Sequence, residues 1–487
     1  MAKGIKYHMG KKLGQICYHL MKIMPTGGQS FPGLVFLKFA GEESLYDLTK
    51  DQIKTGSILI TGTNGKTTTT TMIIDLLSKD TKLTKSVGNN TINALTTGLL
   101  VNSGDIGVFE YGIRDIKHGV PDTICRLVDP IGVTYTNISR EHTQVAGVKN
   151  PFEDYVHAKT LLSKKMTGGI LVTNADDPNT TYIGLNKEED NHVTYYAFNL
   201  DSLNDIFEES PVKCPNCGDN LEYQKRYMNQ RGIYSCKCGF KRPKPDIQVT
   251  QFVQNKEKWQ ITIEGTVYNY SIKDNVDINL TLEIPAFGIH NIYNILCSLT
   301  TYASFTPKVE NIEENATNYF NSLDFGILPP GRFEIFDYKD KVVGIGQGDN
   351  GDALKVNALL MQSYVDDEFE FIYTTPDTNE EEIFNDHKQT IKTLNPDKLL
   401  VIPGRISVDA ANEYYEQIKD EYNSEFVPIE YDFETRINKT IELIDKSEYK
   451  YILICAVSSF FSWVNFSSSS STSSSLVFSW LVSYTKP

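Results

Sequence analysis

Short, continuously apolar runs alternate along this chain with longer stretches in which apolar residues recur at helical spacing. "SILIT", from Ser57, is a run of the buried-strand type, and "KTTTTTMIIDLLSK" just beyond it reads as a helix. "IGVFEYG", "PIGVTYTNI" and "GGILVTNADDP" continue the series as three further strands. This alternation predicts an α/β domain with a mainly parallel sheet, spanning residues 56–328. The Pro-Pro-Gly of "LPPGRFEIFDY" halts regular structure and marks a boundary. Beyond it, "KVVGIG", "FEFIYTT", "DKLLVIPG" and "YKYILICAV" are four buried strands separated by helical segments, a smaller Rossmann-like α/β domain over residues 329–455.

Residues 1–55 form a short helical lead-in. Their first part, "MAKGIKYHMGKKLGQICYHLMKIMP", is basic and weakly amphipathic, and lacks the apolar segment and cleavage site of a secretory signal. It reads as a surface helix packed on the next domain, with membrane-surface binding as the alternative. No apolar run reaches membrane-spanning length, so a soluble, cytoplasmic protein is expected. Residues 456–487 are of another character. No charged residue occurs from Tyr451 to Thr485, and a serine tract is flanked by Phe, Trp and Leu, unlike a flexible linker. The expectation is an aberrant tail, such as a frameshifted reading, in place of a last helix.

Charge narrows the function classes. The 487 residues carry a net charge of −15. That opposes broad nucleic-acid binding, which needs a basic face.

The first chemical motif is "TGTNGKTT", which places Gly62, Thr63, Asn64, Gly65, Lys66, Thr67 and Thr68 between a strand and a helix. Glycines let backbone N–H groups close around phosphate oxygens, and the helix adds its positive N-terminus. Lys66 would reach the outer phosphates and the Thr67 hydroxyl would hold Mg²⁺. The usual phosphate-loop pattern has a glycine five residues before Gly65, where Ile60 stands, so this is a shorter variant.

The second motif is cysteine. Cys214, Cys217, Cys236 and Cys238 form "CPNCG" and "CKCG" knuckles, an insertion over residues 211–243. Four thiolates at this spacing suit a tetrahedral, structural Zn²⁺ ribbon, since no ligand position is left open. Cys17, Cys125, Cys297 and Cys455 lie among apolar residues and read as buried thiols.

"TGTNGKTTT" resembles the ATP-binding loop of the Mur ligase family, which includes the folylpolyglutamate synthases. These enzymes phosphorylate a carboxylate with ATP, and an amine then displaces phosphate to form an amide. Glu110 ends the strand "IGVFEYG", where an acidic side chain reaches the crevice at a sheet's carboxyl edge and supports Mg²⁺. The segment "TNISREHTQVAGVKNPFEDYVHAKTLL" is similar to the family's Asn-x-x-x-(Asp/Glu)-His to Ala-Lys stretch. The resemblance implies that His142 is a metal ligand and that Lys159 is carbamylated. In "AFGIHNIYNILCSLT" it implies adenine recognition by Asn291 and Asn294, and in "PPGRFE" it sets Arg332 against nucleotide phosphate or ribose. "NADDP", with Asp176 and Asp177, also recurs in the family, without an assigned role.

The resemblance covers roughly residues 56–450 and weakens towards the C-terminus. Where peptide ligases of the family carry an Asp-Tyr-Ala-His-x-Pro-like segment, "GQGDNGDALKVN" stands here, with Asp349 in place of the histidine and Asp352 near the motif's end. The inserted ribbon, the short N-terminal region and the divergent C-terminal domain resemble the MurT-type branch, which amidates a lipid-linked precursor with ammonia from a glutaminase partner. That branch's Asp-Gly-Arg-Asp-x-Ser-Trp-like segment is missing, "TTPDTNEEEIFNDH" lying near its place, whereas the Lys159 segment is intact. The mixture is similar to the archaeal ligases of pseudomurein peptides.

The function so implied is an ATP- and Mg²⁺-dependent ligase adding an amino acid to a UDP- or lipid-linked peptide precursor of a cell wall. Two alternatives stand beside it: a MurT-like subunit working with a glutaminase, and a non-enzymatic zinc-ribbon protein using ATP as a switch on nucleic acid, which the net charge opposes.

Overall fold

The computed structural model describes residues 4–21, 30–113, 121–139, 151–201, 211–254, 258–285, 288–324, 333–430 and 432–456. These fall into two compact units, one running to residue 327 and the other from residue 328.

The first unit opens with helices α1 (Ile5–Met21), α2 (Phe31–Ala40) and α3 (Ser44–Gln52). A nine-stranded sheet follows, built from β1 (Ile53–Thr61), β2 (Leu83–Ser86), β3 (Gly104–Glu110), β4 (Pro130–Tyr135), β5 (Ile170–Asn174), β6 (His192–Phe198), β9 (Ile247–Gln254), β10 (Lys258–Asn269) and β11 (Asp274–Pro285). Between β6 and β9 stands a separate hairpin, β7 (Glu222–Met228) with β8 (Arg231–Ser235). Helices α4 (Lys66–Leu77), α5 (Ile92–Val101), α6 (Pro121–Val128), α7 (Pro151–Lys165), α8 (Pro178–Leu185), α9 (Ile289–Phe305) and α10 (Ile312–Asn321) complete the unit.

The strand order is β11-β10-β9-β6-β5-β4-β1-β3-β2. From β2 to β9 every neighbouring pair is parallel. Helices cover both faces there, so β4 and β5 are buried at every position and read as unbroken apolar runs. The chain passes from β3 on one side of β1 to β4 on the other, which opens a crevice at the carboxyl ends of these strands. Beyond β9 the chain doubles back, so that β10 runs against the other strands and β11 runs with them again. β9, β10 and β11 form an antiparallel meander, and β10 alternates exposed and buried positions because only one of its faces is covered. The sequence reading expects a mainly parallel sheet. The meander is the antiparallel exception, marked by a two-residue period rather than by continuous apolar runs.

The second unit holds a six-stranded sheet: β12 (Phe333–Tyr338), β13 (Lys341–Gln347), β14 (Phe369–Thr374), β15 (Lys398–Ile402), β16 (Ser424–Phe426) and β17 (Tyr451–Ala456), in the order β12-β13-β17-β14-β15-β16. Only the β12–β13 pair is antiparallel. Ile345, Ile372, Ile402, Ile452 and Ile454 meet in its core. The molecule is thus mixed α/β in both units. Of the scattered cysteines, Cys125, Cys297 and Cys455 are buried, but Cys17, expected to be so, is partly exposed because α1 lies at the surface.

Candidate functional site

The crevice at the carboxyl end of β1 is lined by the loop Gly62–Gly65 and the first turn of α4. Gly65 sits at φ 78°, a left-handed conformation open to glycine at little cost, and it turns the chain into α4. There is also no room for a side chain: a Cβ on Gly65 would stand 2.3 Å from Asn294 Oδ1, and one on Gly62 would stand 2.0 Å from Thr136 Oγ1.

The loop is held from β4's outgoing segment. Thr63 N–H donates to the Asn137 carbonyl at 2.8 Å. Asn64 N–H donates to Asn137 Oδ1 at 3.2 Å, and Asn137 Nδ2 returns a bond to the Asn64 carbonyl at 2.8 Å. Ser139 N–H donates to Thr63 Oγ1 at 3.0 Å, and Tyr155 OH stands 3.0 Å from the same hydroxyl. Lys66 Nζ donates to the loop's own Gly62 and Thr63 carbonyls at 3.1 and 2.5 Å, which keeps its charge within the loop.

Glu110, the last residue of β3, is buried and joined to this turn. Thr67 Oγ1 donates to Glu110 Oε1 at 3.1 Å, and Gly88 N–H donates to Oε2 at 2.9 Å. Lys159, on α7, is 1% exposed, and its Nζ donates to Thr61 Oγ1 and to the Gly62 carbonyl, both at 3.2 Å. Its ammonium also lies 4.6 Å from the Tyr155 ring centroid. From the far side, Asn294 Oδ1 accepts from Thr69 Oγ1 at 3.4 Å, and Asn294 Nδ2 donates to Asn291 Oδ1 at 2.8 Å. Both asparagines are buried in the first turns of α9. Beside them, desolvation first and the Arg231 guanidinium second push His290 down to about 3, leaving its imidazole neutral at ordinary pH.

Gly62 to Thr68, Glu110, Lys159 and Asn294 therefore converge, while Asn291 acts on the loop through Asn294. His142 and Arg332 lie outside the described residues. Sequence reasoning missed Asn137, Ser139 and Tyr155, although all three lie within the quoted segment that contains Lys159.

It also left Asp176 and Asp177 without a role, and here the structure adds most. Asp177 caps α8 by accepting from Asn179 N–H at 2.9 Å; it also accepts from Ile138 N–H at 3.0 Å and from Gln230 Nε2 at 3.0 Å. Asp176 pairs with Arg242 at 2.6 Å and accepts from Phe198 N–H and from Tyr293 OH, the last at 2.9 Å. Burial raises both carboxyls above the usual range, and the arginines oppose it: Arg242 for Asp176, Arg231 for Asp177. Gln230, Arg231 and Arg242 all belong to the inserted unit, so "NADDP" is its anchor. Gln230 Nε2 also donates to the Ile138 carbonyl at 2.8 Å, between Asn137 and Ser139, which hold the glycine loop.

Within the insertion the four cysteine sulfurs lie within 4.8 Å of one another, with Cys214–Cys238 at 3.8 Å and Cys217–Cys236 at 3.5 Å. A tetrahedral Zn²⁺ with bonds of about 2.3 Å sets its sulfurs about 3.8 Å apart, so the donor set fits that ion. Hydrogen bonds from the Phe240 N–H and the Asn216 amide draw the Cys238 thiol down to about 6, towards the thiolate a metal needs. Leu221, Tyr234 and Phe240 supply a small core around Cys214.

Residues 60–235, which include the phosphate loop, Glu110, Lys159 and most of the insertion, match the Mur ligase middle domain. Over that central stretch the chain is similar to the Mur ligases. It is 26% identical over 281 residues to the MurT subunit of lipid II isoglutaminyl synthase (glutamine-hydrolyzing) from Streptococcus pneumoniae, covering 56% of this chain and 57% of that one. For the corresponding Staphylococcus aureus subunit the identity is 28% over 228 residues, 44% and 50% of the two chains. The chain thus spans about half the length of the curated relatives it matches. Among solved structures, a pseudomurein peptide ligase type C from Methanothermus fervidus superposes with a TM-score of 0.61 at 23% identity, covering 84% of this chain and 78% of that one. MurF from Acinetobacter baumannii superposes with a TM-score of 0.58 at 14% identity, over 86% and 77%. Both share the Mur ligase fold with this chain.

Proposed function

We propose that this protein is an ATP-dependent ligase that forms an amide bond through an acyl phosphate, adding an amino acid to a UDP- or lipid-linked peptide precursor of a cell wall, pseudomurein in kind. The observation that carries this reading is the joining of Thr67 and Glu110 at the mouth of a glycine loop that leaves no space for side chains.

In this reading Gly62–Thr68 bind the phosphates of ATP, with Lys66 turning outward from its loop carbonyls to the terminal phosphate. Thr67 and Glu110 would hold Mg²⁺, with His142 as a further ligand, and a bound Mg²⁺ would neutralise charge on the transferred phosphate. Lys159 supports that ion as its carbamate. Asn294, ordered by Asn291, braces Gly65 and faces the nucleotide, and Arg332 takes phosphate or ribose. The four cysteines hold a structural Zn²⁺ and leave no position for catalysis.

The test is ADP release from the purified chain, measured across amino acids with a UDP-linked peptide as acceptor. Release that depends on both amino acid and acceptor is expected. ADP formation coupled only to glutamine-derived ammonia would overturn it in favour of the second reading, a MurT-like subunit with a glutaminase. The similarity to two MurT subunits supports that alternative, and co-purification of a glutaminase chain would separate the two.

A further inference from the structure

Helix α1 carries its large apolar side chains on the outside. Its inner face is made of Tyr7, Gly10 and Gly14, all buried. The two glycines let it lie close against its neighbours: a Cβ on Gly10 would stand 3.0 Å from Ala40 Cβ, and one on Gly14 2.7 Å from Leu100 Cδ1. Tyr7 OH donates to Asp51, and Gln15 Nε2 donates to the Leu100 carbonyl at 2.9 Å. The helix is therefore docked by Tyr7, its glycines and Gln15, without burying its large aliphatic side chains.

Those hydrophobic residues are Ile5, Met9, Leu13, Ile16 and Leu20, which are 79%, 50%, 37%, 54% and 53% exposed. Their spacings of four, four, three and four keep them within about 80° of one another on a helix of 3.6 residues per turn. On that wheel Lys6 falls just outside one margin of the stripe and Lys12 just outside the other, and both are exposed. An ordinary surface helix turns such a stripe towards the core. Here a continuous apolar band, edged by cations, faces outward.

Charge decides between occupants. The first 41 residues contain six lysines and no aspartate or glutamate, in a chain whose net charge is −15. A second copy docking through α1 would set lysine against lysine, and lysine is depleted from protein interfaces. An anionic bilayer meets both features: its acyl chains take the apolar band while its headgroups pair with the flanking lysines. We propose that α1 lies in the surface of an anionic membrane and docks this otherwise acidic protein there. No helix among the described residues is long and apolar enough to cross a membrane. The proposal rests on α1 alone, so its failure would leave the ligase reading untouched.

The test is co-sedimentation of the full chain with vesicles of phosphatidylcholine alone, or with about one-third phosphatidylglycerol. Binding to the anionic vesicles only, weakened by salt, is expected. A double Ile16→Glu, Leu20→Glu variant should bind about tenfold less tightly with an unchanged melting temperature, and Lys6→Glu, Lys12→Glu should lose the anionic preference. Absence of binding to both vesicles would overturn the proposal, as would equal binding to both or full binding by the stripe variant. Sedimentation velocity supplies the remaining outcome: a dimer that the stripe variant dissociates, with no vesicle binding, would overturn it in favour of a second copy.

Discussion

Thr67 Oγ1 and Glu110 Oε1, 43 residues apart in the chain, are 3.1 Å apart in space. The first lies in the opening turn of α4 and the second at the end of β3, with Ile60 of β1 paired to Glu110 across the sheet. A carboxylate is thereby held on the hydroxyl that a phosphate-bound Mg²⁺ would use. Glu110→Gln keeps one oxygen to accept from Gly88 N–H and offers an N–H that the Thr67 hydroxyl can accept, but removes the charge. It should leave the fold intact by circular dichroism, lower ADP release at least about 100-fold, and move the Mg²⁺ titration to higher concentration. An unchanged Mg²⁺ titration would assign Glu110 a structural role only.

Lys159 offers a separate test, since a carbamate forms and decays with dissolved CO₂. In buffer stripped of CO₂ the rate of ADP release should fall several-fold, as expected when one outer support of a metal is lost, and bicarbonate should restore it. Lys159→Met should be insensitive to bicarbonate.

Arg242 and Asp176 make a buried ion pair, the carboxylate fully covered and the guanidinium nearly so. Arg242→Ala leaves that carboxylate facing only the Phe198 N–H and Tyr293 OH, and should cost about 3–5 kcal/mol in urea denaturation. Asp176→Asn in the same background should recover part of the loss.

Metal analysis should find one zinc per chain. Cys236→Ser or a strong chelator should remove it and lower the melting temperature by about 5 °C or more, because binding energy at such a site is folding energy. Since Gln230 ties the insertion to Ile138, the same treatment should also weaken ATP binding.

In the second unit, burial raises Glu380 to about 7; the hydrogen bond from Asp377 N–H and the Arg405 guanidinium oppose the rise, while the Asp377 and Asp349 carboxylates add to it. A carboxyl raised on folding stabilises the protein while both states hold the proton, and that advantage is lost as pH rises from 4.5 to about 7. Glu380→Gln should therefore be close to neutral at pH 4 and stabilising by about 1–2 kcal/mol at pH 8, read from melts at the two pH values.

The central parallel strands β1, β3, β4 and β5 were legible because burial on both faces writes itself as unbroken apolar runs, as in "SILIT" and "PIGVTYTNI"; the parallel strands β2, of four residues, and β6, partly exposed, were not read. The meander was not, because alternation in "KWQITIEGTVYN" carries half the apolar density and competes with ordinary polar loop signal. The glycine loop and the four cysteines could be found from residue type and spacing, whereas Glu110, a carboxylate at a strand end, stood out only through the family resemblance. Asn137 and Tyr155 could not be found: they act through backbone and hydroxyl contacts with Thr63 and Asn64 that no local pattern encodes. Lys159 alone looks like a helix-surface cation, and only the packing of α7 against the loop buries it.

The inserted unit leaves the sheet at Phe198 of β6 and returns at Ile247 of β9, where Ile247 is paired with Tyr196. Neighbouring strands lie about 4.8 Å apart, so the excursion starts and finishes almost at one point. In topology it is a detachable cassette, although β6 and β9 are parallel, so a crossover of a dozen or so residues would have to take its place. In electrostatics it is not, because its arginine neutralises a carboxylate rooted in the sheet beneath. Excising the cassette without changing Asp176 would strand a buried charge, so the insertion and that aspartate must be gained or lost together.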